Sequence, residues 1–297
     1  MKIIKNSLIL VLVVSMMVAF TGCKGKEKDE STSDTKANAE TNTQDDNTSD
    51  LEELSGSVTI SGSTSVEKIG NAVAEEFMAL YPSVEITYEG IGSSGGVKNA
   101  NNGVTQIGTA SRNLKEEEKS WGLTEVAIAY DGVAVITHPD NNLKGLTKDQ
   151  VKAIFKGEIT NWSDVGGKDE EIVVVSREDG SGTRGAFEEI VDFEDALTSK
   201  ALIADGNGNV QTTVANNPKS IGYVSFTYIN ETVSALLIDD VEPTAEKVVE
   251  GLYSISRPFL MIYHEDNMTK ETKAFMEFIL SSEGQDIVEE KGGIKVK

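Results

Sequence analysis

Serine, threonine and glycine are concentrated in three short segments of the chain, residues 61–65, 90–96 and 179–183. Each segment follows a predicted strand and lies at the start of a predicted helix. Hydroxyl groups and glycine N–H groups suit an anion there, because the positive end of the helix dipole faces the ligand. Arg177 lies just before the third segment and adds a cation. One such loop is an ordinary turn, but three loops together predict a binding site for a small anion.

The second loop also matches two enzyme motifs, and the surrounding sequence supports neither. Residues 90–95 have the G-x-G-x-x-G spacing of a dinucleotide-binding turn, but they follow the second predicted strand and precede a short, broken helix. Residues 92–96 have the pattern G-x-S-x-G, in which Ser94 would be a nucleophile that needs a histidine base. The two histidines, His138 and His264, lie in or beside predicted strands. No P-loop motif occurs, which excludes a P-loop nucleotidase.

Composition and charge exclude further classes of function. The 297 residues, roughly two domains of chain, include 27 Lys+Arg and 49 Asp+Glu and carry a formal net charge of -22. Such a surface repels the phosphate backbone, so a nucleic-acid partner is not expected. One cysteine and two histidines cannot form a structural zinc cluster, and we expect neither a metal nor another cofactor.

The N-terminal region predicts export and a lipid anchor. Lys2 and Lys5 precede an apolar run over residues 8–20, which is too short to span a bilayer, and Cys23 follows. This arrangement resembles a bacterial lipoprotein signal, in which cleavage before the cysteine allows its lipidation by fatty acyl chains such as palmitate. Residues 24–54 are polar and contain no aromatic residue, which is typical of a disordered tether. The predicted organisation is a signal peptide over 1–22, followed by the lipidated cysteine and tether over 23–55.

Strands and helices alternate after the tether. Hydrophobic periodicity predicts strands near 57–60, 84–88, 106–108, 124–138, 171–176, 221–225, 234–238 and 258–263. Helices are predicted after residue 64 up to Pro82, from the capping box of Thr147 and Gln150, and in two C-terminal stretches. Strands separated by helices predict an α/β fold with parallel sheets, whose ligands bind in loops at the strand ends.

Several longer motifs together resemble the phosphate-binding subunits of bacterial phosphate ABC importers. They are residues 88–98 (YEGIGSSGGVK), 157–167 (GEITNWSDVGG), 177–183 (REDGSGT) and 221–223 (IGY). The resemblance covers residues 56–297 in order. It implies a type II periplasmic-binding-protein fold, in which two α/β lobes joined by a two-crossover hinge enclose phosphate. It also implies a membrane permease as partner, a binding rather than an enzymatic role, and a monomeric head.

The resemblance also implies which residues contact phosphate. These are Thr64, Ser65, Ser93, Arg177, Ser181, Gly182 and Thr183, flanked by Ser63 and Ser94. Asp179 would hold Arg177 in place and partly neutralise it. The lobes would comprise residues 56–137 with 252–297, and residues 138–251.

The sequence departs from the family at one position that matters for selectivity. Some members have an aspartate after the third strand that accepts the proton of monohydrogen phosphate, and Ser111 stands there. Ser111 can still accept a hydrogen bond, Arg112 can add a second cation, and Asp131 is either an alternative acceptor or a turn residue beside Gly132. A binding protein for another tetrahedral oxyanion, such as sulfate or molybdate, and a phosphate-handling hydrolase remain the alternatives.

Overall fold

The computed structural model describes residues 54–296. Its strands are β1 (Gly56–Gly62), β2 (Val84–Gly90), β3 (Ile107–Ala110), β4 (Thr124–Thr137), β5 (Gly145–Leu146), β6 (Val173–Arg177), β7 (Leu202–Ala204), β8 (Ser220–Ser225), β9 (Ser234–Ala235), β10 (Leu237–Ile238) and β11 (Ser256–Tyr263). Its α-helices are α1 (Thr64–Leu80), α2 (Ser93–Asn101), α3 (Glu116–Lys119), α4 (Lys148–Lys156), α5 (Gly182–Val191), α6 (Gly206–Ala215), α7 (Ala245–Val249), α8 (Lys270–Leu280) and α9 (Ser282–Glu290). The predicted strands are all present, except that 234–238 forms two short strands rather than one. The predictions for residues 1–53 lie outside the described part of the chain.

Local sequence signals explain where several helices begin and end. Helix α1 begins after Ser63, whose hydroxyl accepts the N–H of Ser65, and it ends just before Pro82. The predicted capping box of α4 is confirmed, because Thr147 Oγ1 accepts the Gln150 N–H at 3.1 Å and Gln150 Oε1 accepts the Thr147 N–H at 2.9 Å.

The main sheet is mixed rather than purely parallel, which corrects the prediction. Its strand order is β2-β1-β3-β11-β4-β8-β6-β7, with β9 beside β4. The pairs that β1 forms with β2 and β3, and β6 with β7 and β8, are parallel. Strand β11 runs antiparallel to β3 and β4, and β4 runs antiparallel to β8. These antiparallel pairs all involve β4 or β11, the two strands that cross between the halves of the sheet.

Strand β4 carries the chain from one half of the molecule to the other. It is continuous over 14 residues, so Asp131 and Gly132 lie within the strand and not in a turn. Its first part pairs with β11, and its last part, from Val133 onward, pairs with β8. The β4–β11 pair is therefore the two-stranded connection between two α/β lobes.

Each half has its own apolar core. In the first half, β1, β2 and β11 pack against α1, α8 and α9, with Phe77, Phe259 and Phe275 buried at the centre. In the second half, the end of β4 packs with β6, β8, α4 and α5, and the ring of Phe187 stacks on that of Tyr223 at 4.1 Å between centroids. Two separately packed cores can move as rigid bodies about the strands that join them.

None of the helices within residues 54–296 has both the length and the apolar character needed to cross a membrane.

Candidate functional site

The N-termini of three helices meet between the two lobes. Helices α1, α2 and α5 begin after Ser63, Gly92 and Ser181, which lie within the three loops singled out in the sequence. Gly92 has φ +86°, a left-handed conformation that disfavours any residue with a Cβ. The N–H groups of a first helical turn have no partner inside the helix, and they carry the positive end of its dipole. Three such ends create a region suited to an anion.

Direct contacts across the cleft show how close these helix ends are. The Oγ of Ser65 and the Oγ1 of Thr183 form a 2.8 Å hydrogen bond, and the N–H of Ser94 donates to Gly180 O at 3.1 Å. Gly182 lies against Ser93 and Ser111, and a Cβ at this position would be only 2.8 Å from Ser111 Oγ. A glycine is needed at residue 182 because the two lobes approach each other so closely.

A cluster of buried hydroxyl groups lines the first lobe's side of this region. Ser63 Oγ donates to Ser111 Oγ at 2.8 Å, and the N–H of Ser111 donates to Ser93 Oγ at 3.1 Å. All three side chains are buried. The structure therefore brings Ser111, from the end of β3, together with serines of the first two loops.

Arg177 approaches the same region from the end of β6 in the second lobe. Its side chain is 1% exposed, and its Nη2 donates to Thr64 Oγ1 at 3.2 Å across the cleft. Its Nη1 is buried and has no hydrogen-bond partner among the described residues. A buried charged donor without a partner is rare, since it has lost its water without compensation. Arg177 is thus a forked donor with one nitrogen available to a ligand.

The carboxylate that holds Arg177 is Glu178, and the predicted role of Asp179 is wrong. Glu178 accepts from Arg177 Nε at 2.8 Å and from Nη2 at 2.7 Å, whereas Asp179 is almost fully exposed and pairs with Arg184. Asp179 lies in the turn after the strand, where its side chain projects into solvent. Burial alone raises the pKa of Glu178, but the hydrogen bonds and charge of Arg177 outweigh it and hold that pKa below its usual value.

Arg112 is not a free second cation, which corrects the prediction. Its Nη1 donates to Glu118 Oε2 at 2.7 Å and to Asn113 O at 2.8 Å. Its Nη2 donates to Glu118 Oε1 at 2.8 Å and to Ser94 Oγ at 3.1 Å. Both terminal nitrogens are therefore occupied, and Arg112 positions Ser94. The same pair lowers the pKa of Glu118, because the Arg112 interactions exceed the opposing effect of burial.

Asp131 is neither a turn residue nor a free acceptor. It lies within β4, fully buried, where Oδ1 accepts from Ser225 Oγ at 2.8 Å and from the Phe226 N–H at 3.1 Å. Oδ2 accepts from Arg257 Nε at 3.1 Å and from Nη2 at 2.9 Å. Burial raises the pKa of Asp131, against the opposing charge of Arg257. Four protein donors occupy the four acceptor positions of a carboxylate, so none is left for the proton of a ligand.

Sequence reasoning missed three residues at this site: Glu178, Asn207 and Arg257. Asn207, in the first turn of α6, donates to Thr64 Oγ1 at 3.2 Å and to Ser65 Oγ at 2.9 Å. Arg257 donates to Ser65 Oγ at 3.1 Å. Arg257 did have a sequence signal, because it is a lone charge at the start of an apolar strand. Asn207 had none, since its contacts join segments more than 140 residues apart in sequence.

Comparison with known proteins identifies the family. A family model described as a PBP superfamily domain matches residues 35–283. This match and the two-lobed α/β fold define the chain as a substrate-binding protein of that superfamily. The phosphate-binding protein PstS of Bacillus subtilis (strain 168) is 34% identical over 299 residues, covering 98% of this chain and 95% of that protein. The chain therefore belongs to the PstS family of phosphate-binding proteins, which confirms the resemblance found in the sequence.

Two solved structures support the same assignment. A protein of Clostridium perfringens, assigned as a phosphate ABC transporter substrate-binding protein and solved with bound phosphate, is 55% identical with a TM-score of 0.81. The alignment covers 82% of this chain and 100% of that one. An ABC-type phosphate transport receptor of Vibrio cholerae is 34% identical with a TM-score of 0.70, covering 81% and 100% of the two chains. These relatives are binding proteins of transporters, not enzymes.

Proposed function

We propose that the protein is an extracytoplasmic receptor that captures inorganic phosphate between its lobes and delivers it to an ABC importer. The observation that carries the proposal is the buried Nη1 of Arg177, which has no partner among residues 54–296 and lies beside three converging helix N-termini. A guanidinium and several N–H and hydroxyl donors match the many acceptor lone pairs of a small tetrahedral oxyanion. The bound phosphate described for the Clostridium perfringens relative supports the choice of ligand.

Hydrogen bonds rather than net charge account for binding in this proposal. Arg177 is already paired with Glu178, so the pair contributes a directed donor but little net positive charge. The proposed phosphate ligands are Ser63, Thr64, Ser65, Ser93, Ser94, Ser111, Arg177, Ser181, Gly182 and Thr183. A protein of net charge -22 can therefore bind an anion, because local dipoles at short range outweigh a screened surface field.

The proposal includes a membrane location and a lobe arrangement. Lipidation of Cys23 would anchor the protein, and the tether of residues 23–55 would let a monomeric head reach a permease. We assign residues 56–137 with 252–297 to one lobe and 138–251 to the other. The separate apolar cores support this division. Along the chain, the buried residues pass from one core to the other near β4 and β11, within several residues of these limits.

Calorimetry on the purified full-length protein tests the ligand. We expect phosphate to bind more tightly than sulfate or molybdate, and Arg177→Ala to weaken phosphate binding by at least about tenfold, since a charge-assisted hydrogen bond contributes about 1.5–3 kcal/mol. Lys98→Ala removes the same charge from an exposed position of α2 and should bind like the wild type. A loss in Arg177→Ala no larger than in Lys98→Ala would move the site elsewhere.

A phosphoester assay separates the receptor from a hydrolase. We expect no turnover above the buffer rate, because neither histidine is hydrogen-bonded to Ser94 in the described structure. Turnover that Ser94→Ala abolishes would contradict the receptor proposal.

A further inference from the structure

A second buried arginine joins the two strands that connect the lobes. Arg257 of β11 and Asp131 of β4 are register partners, and their side chains are 2% and 0% exposed. The guanidinium Nε and Nη2 both donate to Asp131 Oδ2, at 3.1 and 2.9 Å. Asp131 is held in turn by Ser225 and Phe226 of the second lobe. Arg257 is thus fixed in position by a rigid network at the hinge.

This network does not satisfy all of Arg257. Its Nη1 is buried and has no hydrogen-bond partner among residues 54–296. The only other guanidinium nitrogen in that condition within the described residues is Nη1 of Arg177, the proposed phosphate donor. A structural ion pair in a protein interior normally has its remaining N–H groups paired as well. The unpaired Nη1 of Arg257 therefore points to a ligand, as that of Arg177 does.

The two arginines converge on the same helix end. Arg177 Nη2 donates to Thr64 Oγ1 at 3.2 Å, and Arg257 Nη2 donates to Ser65 Oγ at 3.1 Å. Asn207 Nδ2 donates to both hydroxyls, at 3.2 and 2.9 Å. Arg177 and Arg257 thus meet adjacent residues at the N-terminus of α1. Burial lowers the pKa of Arg257, and the nearby positive charge of Arg177 lowers it further. An anion bound between the two arginines would counteract the repulsion between their charges.

We propose that Arg257 is a second phosphate-binding arginine, whose Nη1 donates to the anion from the hinge side while Asp131 fixes its orientation. This inference rests on the proposed function, since it adds a residue to the same site. Phosphate would then contact two guanidinium groups, one from the second lobe and one from a connecting strand. Each guanidinium has its own carboxylate, Glu178 or Asp131, so the site holds two forked donors without a large net charge.

The test uses calorimetry of the purified full-length protein with inorganic phosphate. Arg257→Lys keeps the positive charge and can still pair with Asp131, but it cannot also extend a second nitrogen toward the ligand. We expect phosphate binding to weaken by about tenfold or more, the effect of one lost charge-assisted hydrogen bond. Wild-type affinity for phosphate in this variant would overturn the proposal.

A double variant separates binding from folding. Asp131→Leu with Arg257→Met replaces the buried pair by apolar side chains, which folded proteins often tolerate. We expect a cooperative melting transition without phosphate and an affinity weakened by about tenfold or more. Wild-type affinity in this variant would refute a ligand role for Arg257. If it does not fold, Arg257→Lys decides.

The outcomes also distinguish this inference from the proposed function. If the wild type binds no phosphate, the proposed function fails. If the wild type binds and Arg177→Ala weakens binding while both Arg257 variants do not, only the second arginine is refuted.

Discussion

Replacing Gly182 with alanine tests whether the lobes must close to bind. Gly182 is the first residue of α5 and has no left-handed φ, so its backbone can accept a side chain. An added Cβ would overlap Ser93 Oγ, and it would lie 2.8 Å from Ser93 Cβ and 2.8 Å from Ser111 Oγ. Real Cβ atoms are essentially never closer than 3.0 Å to another heavy atom, so the opposing serines must move.

The overlap raises the free energy of the closed state in particular, because the overlapping atoms belong to different lobes. Overpacking by one methyl group costs about 1–3 kcal/mol. At 1.4 kcal/mol per factor of ten, the affinity for phosphate should fall by about 5-fold to about 150-fold. An open cleft separates Gly182 from Ser93 and relieves the overlap, so the stability of the ligand-free protein should change little.

Calorimetry with phosphate and thermal melting without it measure the two effects separately. Gly185→Ala is the matched control, since it lies one turn along α5 and its Cβ would meet only Arg112 Cδ, at an ordinary 3.5 Å. We expect Gly182→Ala to lose affinity at an unchanged melting temperature, and Gly185→Ala to bind like the wild type. Equal affinity in the two variants would refute the argument that close approach of the lobes requires Gly182.

Three further predictions test the corrected ion pairs and the anchor. In urea denaturation, Glu178→Gln should lower the free energy of unfolding by about 1–3 kcal/mol, whereas Asp179→Asn should change it by less than about 0.5 kcal/mol; the reverse order would restore the sequence-based assignment. The pKa of Glu118 is lower in the folded protein, so its contribution to stability is present above the unfolded value near 4.5 and is lost as the pH falls through the folded value. Glu118→Gln should therefore reduce the acid dependence of unfolding, and an unchanged pH profile would argue against the pair with Arg112. Cys23→Ala should abolish acylation and release the protein from membranes, and a variant that stays membrane-bound would contradict the lipoprotein prediction.

The sequence by itself determined the local features of the fold and the chemical class of the site. The start of α4 at Thr147 followed from its capping box, since a side chain that bonds to a nearby N–H acts within a few residues. The three hydroxyl and glycine loops indicated an anion site because the donors of each loop lie within a few residues of one another in sequence. Their positions after strands placed them at one end of the sheet.

Only the tertiary structure decided which charges pair with which. Arg177 has carboxylates at the next two positions, and the direction in which the chain leaves β6 makes Glu178 rather than Asp179 its partner. Asp131 and Arg257 are separated by 126 residues and meet because β4 and β11 pair in one register. Such contacts depend on long-range pairing, and pairing in turn depends on how both lobes bury their apolar faces. The antiparallel course of the connecting strands has the same cause, since it follows from the return of the chain between two cores.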